Sequence, residues 1–368
     1  MFYPDTVRTE QKGWWNMAKV KTIYRQIDQL FSMSRSFGQK KKELKKAGQL
    51  DAAITGAATY DLYRAACMRF AKDLAERRGT TKFQICSITS KEVRNFLERI
   101  KQIRRPETVH QYSSALEKLE KMTNKWFGRV SWKIDEFERP RRSREDVTVQ
   151  RGPAYTPEEA DRLIQELRKI NPRAGDALEF IRATGCRAES IFGTALKKGN
   201  KTYRDFSKAI TAERINLQKR TVTLIEKGGK VREVRYDGQF HNLMQRLVQE
   251  ASYGGIFVGV NQQTIYSQIK MIAEKSSFSG RGLHGMRKTF AVQRHKEYIS
   301  RINELVKAKD WQRLAEEFSI SEQKARRICK DPLNKVVDVV ARLRLTRDLG
   351  HNRVEVTYRY VPRKEKKK

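Results

Sequence analysis

The stretch from Thr221 to Tyr236, TVTLIE-KGGK-VREVRY, constrains this chain more than any other. Two β-rich runs on either side of a Gly-Gly pair are the signature of a hairpin. It is led in by Arg214-Ile215-Asn216-Leu217. Most of the remaining text carries apolar residues at spacings of three and four, the period of a helix with one buried face. The expected fold class is therefore mainly α, with a small antiparallel β element in the second half of the chain.

The helical text divides into blocks. TYDLYRAACMRFAKDLAER places Leu62, Ala66, Phe70, Ala71 and Leu74 on one face. Thr89 is an N-cap for a helix whose face holds Val93, Phe96, Leu97 and Ile100. A further face carries Tyr112, Leu116, Leu119 and Met122. Pro140, Pro153 and a cluster of charges then break the period. Thr156-Pro157-Glu158-Glu159 restarts it with an N-cap, a proline at the first helical position and acids in the first turn. The expected organisation is a basic N-terminal segment over 1–50, a helical domain over 51–135, a linker over 136–154 and a second domain over 155–368. The run QKKKELKKA in the first segment reads equally as an arm that docks on DNA or as a solvated helix end.

Charge narrows the partner. The 78 Lys and Arg exceed the 43 Asp and Glu by 35, and such self-repulsion is tolerated when the working partner is a polyanion. No apolar run approaches the roughly 20 residues that span a bilayer, and the first residues lack the apolar centre of a signal peptide. Nucleic acid is thus expected and a membrane is not. Cys67, Cys86, Cys186 and Cys329 are widely separated, which suits a reducing cytoplasm and not a zinc ribbon or a disulfide framework. His110, His241 and His295 sit in basic helical text, where packing or solvation is the default.

Four boxes carry chemistry. Thr184-Gly185-Cys186-Arg187 is a glycine turn that delivers an arginine as a helix begins. Lys227 stands at the hairpin tip, with Lys230 as its competitor. Leu283-His284-Gly285-Met286-Arg287 puts His284 and Arg287 on one helix face. Asp348-Leu349-Gly350-His351 leads to Tyr358 and Tyr360. Breaking a phosphodiester without metal needs a nucleophile, neutralisation of a pentacovalent phosphorus and protonation of the departing sugar oxygen. Arginine forks can bind the non-bridging oxygens, a hairpin lysine can act as general acid, histidines can move protons or donate to phosphate, and tyrosine can attack. A metal-dependent transposase or nuclease would need clustered carboxylates, but the acids here are scattered among Lys and Arg, so neither metal nor cofactor is expected.

These boxes, in this order, resemble the tyrosine recombinase (phage integrase) family, over most of the chain. TGCR is similar to the family's first-arginine box, IEKGGKVREV to its hairpin-lysine segment, HGMRKTFA to its His-x-x-Arg box and LGHNRVEVTYRYV to its His-plus-tyrosine box. The resemblance implies a helical core-binding domain followed by an α+β catalytic domain. It implies that Tyr360 attacks the scissile phosphate, giving a 3′-phosphotyrosine link and a free 5′-hydroxyl. Arg187 and Arg287 would hold the phosphate, Lys227 would protonate the leaving oxygen, His284 would assist proton transfer and His351 would hydrogen-bond the phosphate. Tyr360 is preferred to Tyr358 because its nine-residue spacing from His351 matches the family.

The same resemblance implies a site-specific recombinase of a mobile element, working as a homotetramer on two DNA sites with room for an accessory DNA-bending protein. Its expected place is the cytoplasm, on a prokaryotic nucleoid or encoded by a phage or plasmid. Alternatives within this chemistry and fold are a catalytically silent DNA-binding regulator, a telomere resolvase and a type IB topoisomerase-like enzyme.

Two departures stand out. Ser190 occupies the position three after the first arginine, where the family carries an acid. The distance from Arg287 to His351 is about twice the family's usual spacing, which makes a helical insertion over about 296–345. Within it, Leu314, Ala315, Phe318, Ile320, Ala325 and Ile328 are patterned like a helix-turn-helix, which reads either as a second DNA-reading element or as helices packing on their own domain. Few residues follow Tyr360, so any linkage between subunits is expected through the insertion.

Overall fold

A computed structural model describes residues 20–128, 132–134, 137–140, 153–198, 201–226, 229–251, 255–257 and 259–362. Lys227 therefore lies outside the described residues, as do most of the expected linker and the first 19 residues. The chain divides into two compact units, Met1–Ser143 and Arg144–Lys368.

The first unit is helical among its described residues. Helices α1 (Ile23–Met33), α2 (Lys41–Lys46), α3 (Ala57–Arg78), α4 (Ser90–Ile103) and α5 (Pro106–Phe127) follow one another. Ile23, Ile27, Leu30 and Phe31 of α1 join Phe70, Leu74, Phe96, Leu97, Leu116 and Leu119 in one core. Among the described residues, the helical core thus already includes α1, ahead of residue 51, where the sequence pattern placed the start of the helical domain. Thr89 caps α4 through a capping box with Glu92. Leu62, read as part of the inward face of α3, is 45% exposed. The inward position of that first turn belongs to Tyr60, whose ring meets Phe31 edge-on at 5.5 Å.

In the second unit, Thr156 caps α6 (Pro157–Ile170), again through a capping box, with Pro157 in the first turn. Helices α7 (Pro172–Thr184) and α8 (Ala188–Phe192) follow, then a two-stranded antiparallel ribbon of β1 (Thr194–Lys198) and β2 (Lys201–Asp205). The polar text TALKK…KTYRD lacks the apolar alternation that would have revealed this ribbon.

The expected hairpin is β4 (Thr221–Ile225) and β5 (Val231–Arg235), antiparallel with Val222 opposite Val234 and Leu224 opposite Arg232. With β3 (Ile215–Asn216) it forms a three-stranded sheet, order β3-β4-β5. Val222, Leu224, Val234 and Tyr236 point into the main core, which they share with α6, α7, α9 (His241–Gln249) and α10 (Gln262–Lys275).

Helix α11 (Gly282–Lys307) serves two cores. Leu283, Met286, Phe290 and Ala291 lie in the main one. Ile302 and Leu305, further along, lie in a second one with α12 (Trp311–Phe318), α13 (Glu322–Lys330) and α14 (Asn334–Asp348). The stretch read as an insertion is helical among its described residues, and its helices share this second core with the end of α11. After α14 a 3-10 helix, Val354–Arg359, carries the chain to Tyr360. The fold is mainly α with a small antiparallel sheet, as expected.

Candidate active site

Helix α7 ends at Thr184, and Gly185 caps it in the left-handed region at φ +58°. A side chain there would be strained and would run into the Phe290 ring. The turn sets Arg187 as the N-cap residue of α8.

Helix α14 ends nearby, with its carbonyls pointing at the same place. Arg287 donates through Nη2 to Leu349 O at 2.7 Å and through Nη1 to Gly185 O. Arg232 donates through Nη1 to Asp348 O and through Nη2 to Gly185 O at 3.3 Å. Two helix C-termini, each the negative end of a helix dipole, thus aim their last carbonyls at two buried guanidiniums.

A full negative charge completes the arrangement. Glu226 is 2% exposed and accepts from Nε of Arg232 at 2.8 Å and from Nη1 of Arg187. Nη1 of Arg287 lies 3.9 Å from it. Among the described residues, Glu226 is the only carboxylate in ion-pair reach of these three arginines. Three guanidiniums around one carboxylate leave two positive charges in excess. Burial and the neighbouring Arg287 pull Arg187 down to about 10 and Arg232 to about 9, so both remain charged at neutral pH.

Tyr360 faces this cluster. Its residue is 8% exposed, and its hydroxyl lies 3.4 Å from Nε of Arg287. The His284 ring, on the first turn of α11, and the His351 ring each lie 5.5 Å from the tyrosine ring. Nε2 of His351 is buried with no hydrogen-bond partner among the described residues. Burial first, then Arg287, Arg187, Arg232 and Lys230, push His351 down to about 3, so its imidazole is neutral at physiological pH.

Of the six expected site residues, the structure thus gathers Arg187, His284, Arg287, His351 and Tyr360; the sixth, Lys227, lies outside the described residues. Its competitor Lys230 donates to Asn352 Oδ1 at 2.8 Å, which ties the hairpin end to the segment following His351. Tyr358 turns away and packs on the Arg342 guanidinium, 4.2 Å from ring centre to Cζ. Arg342 also donates to Val361 O at 2.7 Å and to Asp338 at 2.8 Å, and so holds the backbone on the far side of Tyr360.

Two residues of the cluster, Glu226 and Arg232, were not singled out from the sequence. The alternation that marked the hairpin contained them, since Val222 and Leu224 lead inward to Glu226, and Tyr236 and Val234 lead back inward to Arg232. Ser190, where an acid was expected, is buried and its hydroxyl has no partner among the described residues. The carboxylate that meets the arginines comes from the sheet instead.

A guanidinium has five N–H groups. On Arg287, protein carbonyls take one hydrogen each from Nη1 and Nη2, Nε faces Tyr360 and Nη1 also lies 3.9 Å from Glu226, so the second hydrogen of Nη2 is the one with no acceptor among the described residues. Arg187, whose side chain is 27% exposed, is the cluster's opening to solvent.

Among solved structures, the chain is similar to a lambda integrase dimer bound to a COC′ core site. It is 12% identical to it with a TM-score of 0.53, covering 100% of this chain and 84% of that one. It is also similar to the XerH site-specific recombinase bound to palindromic difH substrate, a post-cleavage complex. There the identity is 13%, the TM-score 0.50 and the coverage 98% of this chain and 90% of that one. No family model matches the sequence, and no curated protein does.

Proposed function

We propose that this chain, which has the fold of the tyrosine recombinases, cuts and rejoins duplex DNA through Tyr360. One observation carries the reading: a buried tyrosine hydroxyl 3.4 Å from an arginine fork, with two histidine rings flanking the tyrosine. Pure DNA binding has no use for that constellation.

Arg187 and Arg287 bind the non-bridging oxygens of the scissile phosphate and offset the charge that builds on phosphorus. Neutral His351 donates a hydrogen bond to the same group, and His284 takes part in moving the tyrosine proton. The oxygen of Tyr360 bonds to phosphorus as the bond to the 5′ oxygen breaks, and Lys227 supplies the proton that makes this oxygen a hydroxyl. Attack by a 5′-hydroxyl on the phosphotyrosine reverses the step, so the bond energy is conserved and no nucleotide cofactor is consumed. The cations supply the charge that a metal ion would otherwise bring. A homotetramer on two recombination sites, integration or excision of a mobile element and a cytoplasmic location complete the reading.

The test uses nicked duplexes carrying the sequence that the protein selects from a random pool, incubated with the full chain in EDTA. A covalent protein–DNA adduct is expected from the wild type and none from Tyr360→Phe. No adduct from the wild type, or an undiminished one from Tyr360→Phe, leaves a DNA-binding protein that does not cut.

A further inference from the structure

We propose that α12 and α13 form a helix-turn-helix that lays α13 in the major groove of duplex DNA. This would give the second unit a sequence-reading element distinct from the tyrosine site. It takes DNA as partner, as the proposed function does, but does not depend on cleavage.

The two helices are joined by only Ser319, Ile320 and Ser321. Ser319 adopts the left-handed conformation at φ 49°, a strained choice for a residue with a side chain, and it turns the chain between the two helices. Ser321 then caps α13 by accepting from Lys324 N at 3.3 Å. Ala315 and Ala325 are buried between the helices, and their small size permits close approach. Leu314, Phe318 and Ile328 point inward beside them, onto Ile302, Leu305, Val337 and Val340. These are the small-residue, turn and apolar positions that fix the crossing of such a pair.

The apolar side chains of the pair are used in this separate core, so the outward face of α13 is free of them. It presents Glu322, Gln323, Arg326, Arg327 and Lys330, all exposed. Gln323, Arg327 and Lys330 recur at spacings of four and three and so form one stripe. None of the three side chains has a hydrogen bond or ion pair among the described residues. Arg326 lies over the Trp311 ring at 3.8 Å and 3.6 Å from Glu322, and is thereby steadied beside the stripe. On α12 the carboxylate of Glu317 is already taken by Arg301 and Arg313, at 2.7 and 2.8 Å.

A polar, basic stripe with no apolar centre suits a polyanion and not a protein interface, whose core is depleted in charge. A glutamine near the start of the helix sits where such helices reach base edges, and it can pair with adenine through two hydrogen bonds. Arg327 and Lys330, further along, are placed for guanine or phosphate.

The experiment is selection from a randomised duplex pool, with Tyr360→Phe as the parent so that binding is read without cutting. Gln323→Ala and Arg327→Ala/Lys330→Ala are compared with it in the full chain. All three side chains are exposed, so unchanged melting is expected and serves as the folding control. The parent should enrich a site that contains a block of about three base pairs lost in Gln323→Ala while the rest of the site persists. Gln323→Ala should leave the salt dependence of binding unaltered, whereas the double variant should lower the slope of log K against log salt by about two. Identical selected sites and slopes for all three proteins overturn the proposal, as does a parent that enriches no such block. An adduct-negative wild type with this block present would fail the cleavage reading alone.

Discussion

Arg287 donates from one guanidinium to the carbonyls of Gly185 and Leu349, the residues that close helices α7 and α14, while its Nε faces the hydroxyl of Tyr360. The residue that would grip the phosphate is thus also a clamp between two helix ends.

Arg287 and Arg187 should therefore fail differently. Arg287→Ala leaves two helix-terminal carbonyls and Glu226 with fewer donors inside the protein, and should destabilise the second unit by about 3–5 kcal/mol. Arg187 reaches solvent and leaves Glu226 still bonded to Arg232, so Arg187→Ala should lower stability by no more than about 1–2 kcal/mol. Both should abolish the covalent adduct. Urea denaturation read on the second unit separates them, and equal losses of stability would contradict the clamp.

Glu226 and Arg232 should be coupled. Glu226→Gln leaves three buried or half-buried arginines without their shared carboxylate, and Arg232→Met leaves Glu226 short of its 2.8 Å partner. Each alone should be destabilising, while the double variant should be more stable than the sum predicts by about 1–3 kcal/mol. A double-mutant cycle measures this directly, and simple additivity would rule the pairing out.

His351 should leave a mark on the pH dependence of stability. Its folded value, about 3, lies below the usual 6.5, so between those values the unfolded chain binds the additional proton. Stability from this group is complete above about 6.5 and drains away as pH falls toward the folded value. His351→Asn should lose less stability than the wild type between pH 7 and pH 5. Parallel urea midpoints for the two proteins across that range would refute the assignment.

Gly185→Ala meets two obstacles, a left-handed backbone and the Phe290 ring. Replacing Phe290 by Leu in the same chain removes only the second. The double variant should recover part of the lost melting temperature, with a residue of about 1–2 kcal/mol left from the backbone. Full recovery would mean that the conformation itself is unconstrained.

How far the sequence reached differs by kind of residue. Arg187, His284, Arg287, His351 and Tyr360 lie in three short boxes marked by local features, a glycine turn, a helical spacing and a tight turn, and the resemblance to the recombinase family singled them out. The capping residues Thr89 and Thr156 were legible for the same reason, since a cap is a local interaction. Glu226 and Arg232 were harder to see, because a charged residue in a basic chain is read as solvated unless its neighbours say otherwise. The neighbours did: both occupy the inward phase of strands that also hold Val222, Leu224 and Val234. What could not be read is the convergence of two helix ends, which brings partial negative charge to that phase and makes a buried arginine tolerable there. Leu62 errs in the opposite direction, being apolar at helical spacing yet left outside because Tyr60 took its place.

The two helix ends that meet at Arg232 and Arg287 also set an order of events. Gly185 belongs to the early part of the second unit and Leu349 to its close, and contacts between such distant parts of a chain form late. Until α14 has docked, the guanidiniums have one helix end and not two, and Tyr360, which follows α14, has no arginine to face. A partly folded or partly synthesised chain therefore lacks the assembled cluster of arginines, histidines and Tyr360. The candidate site comes into being only when α14 arrives.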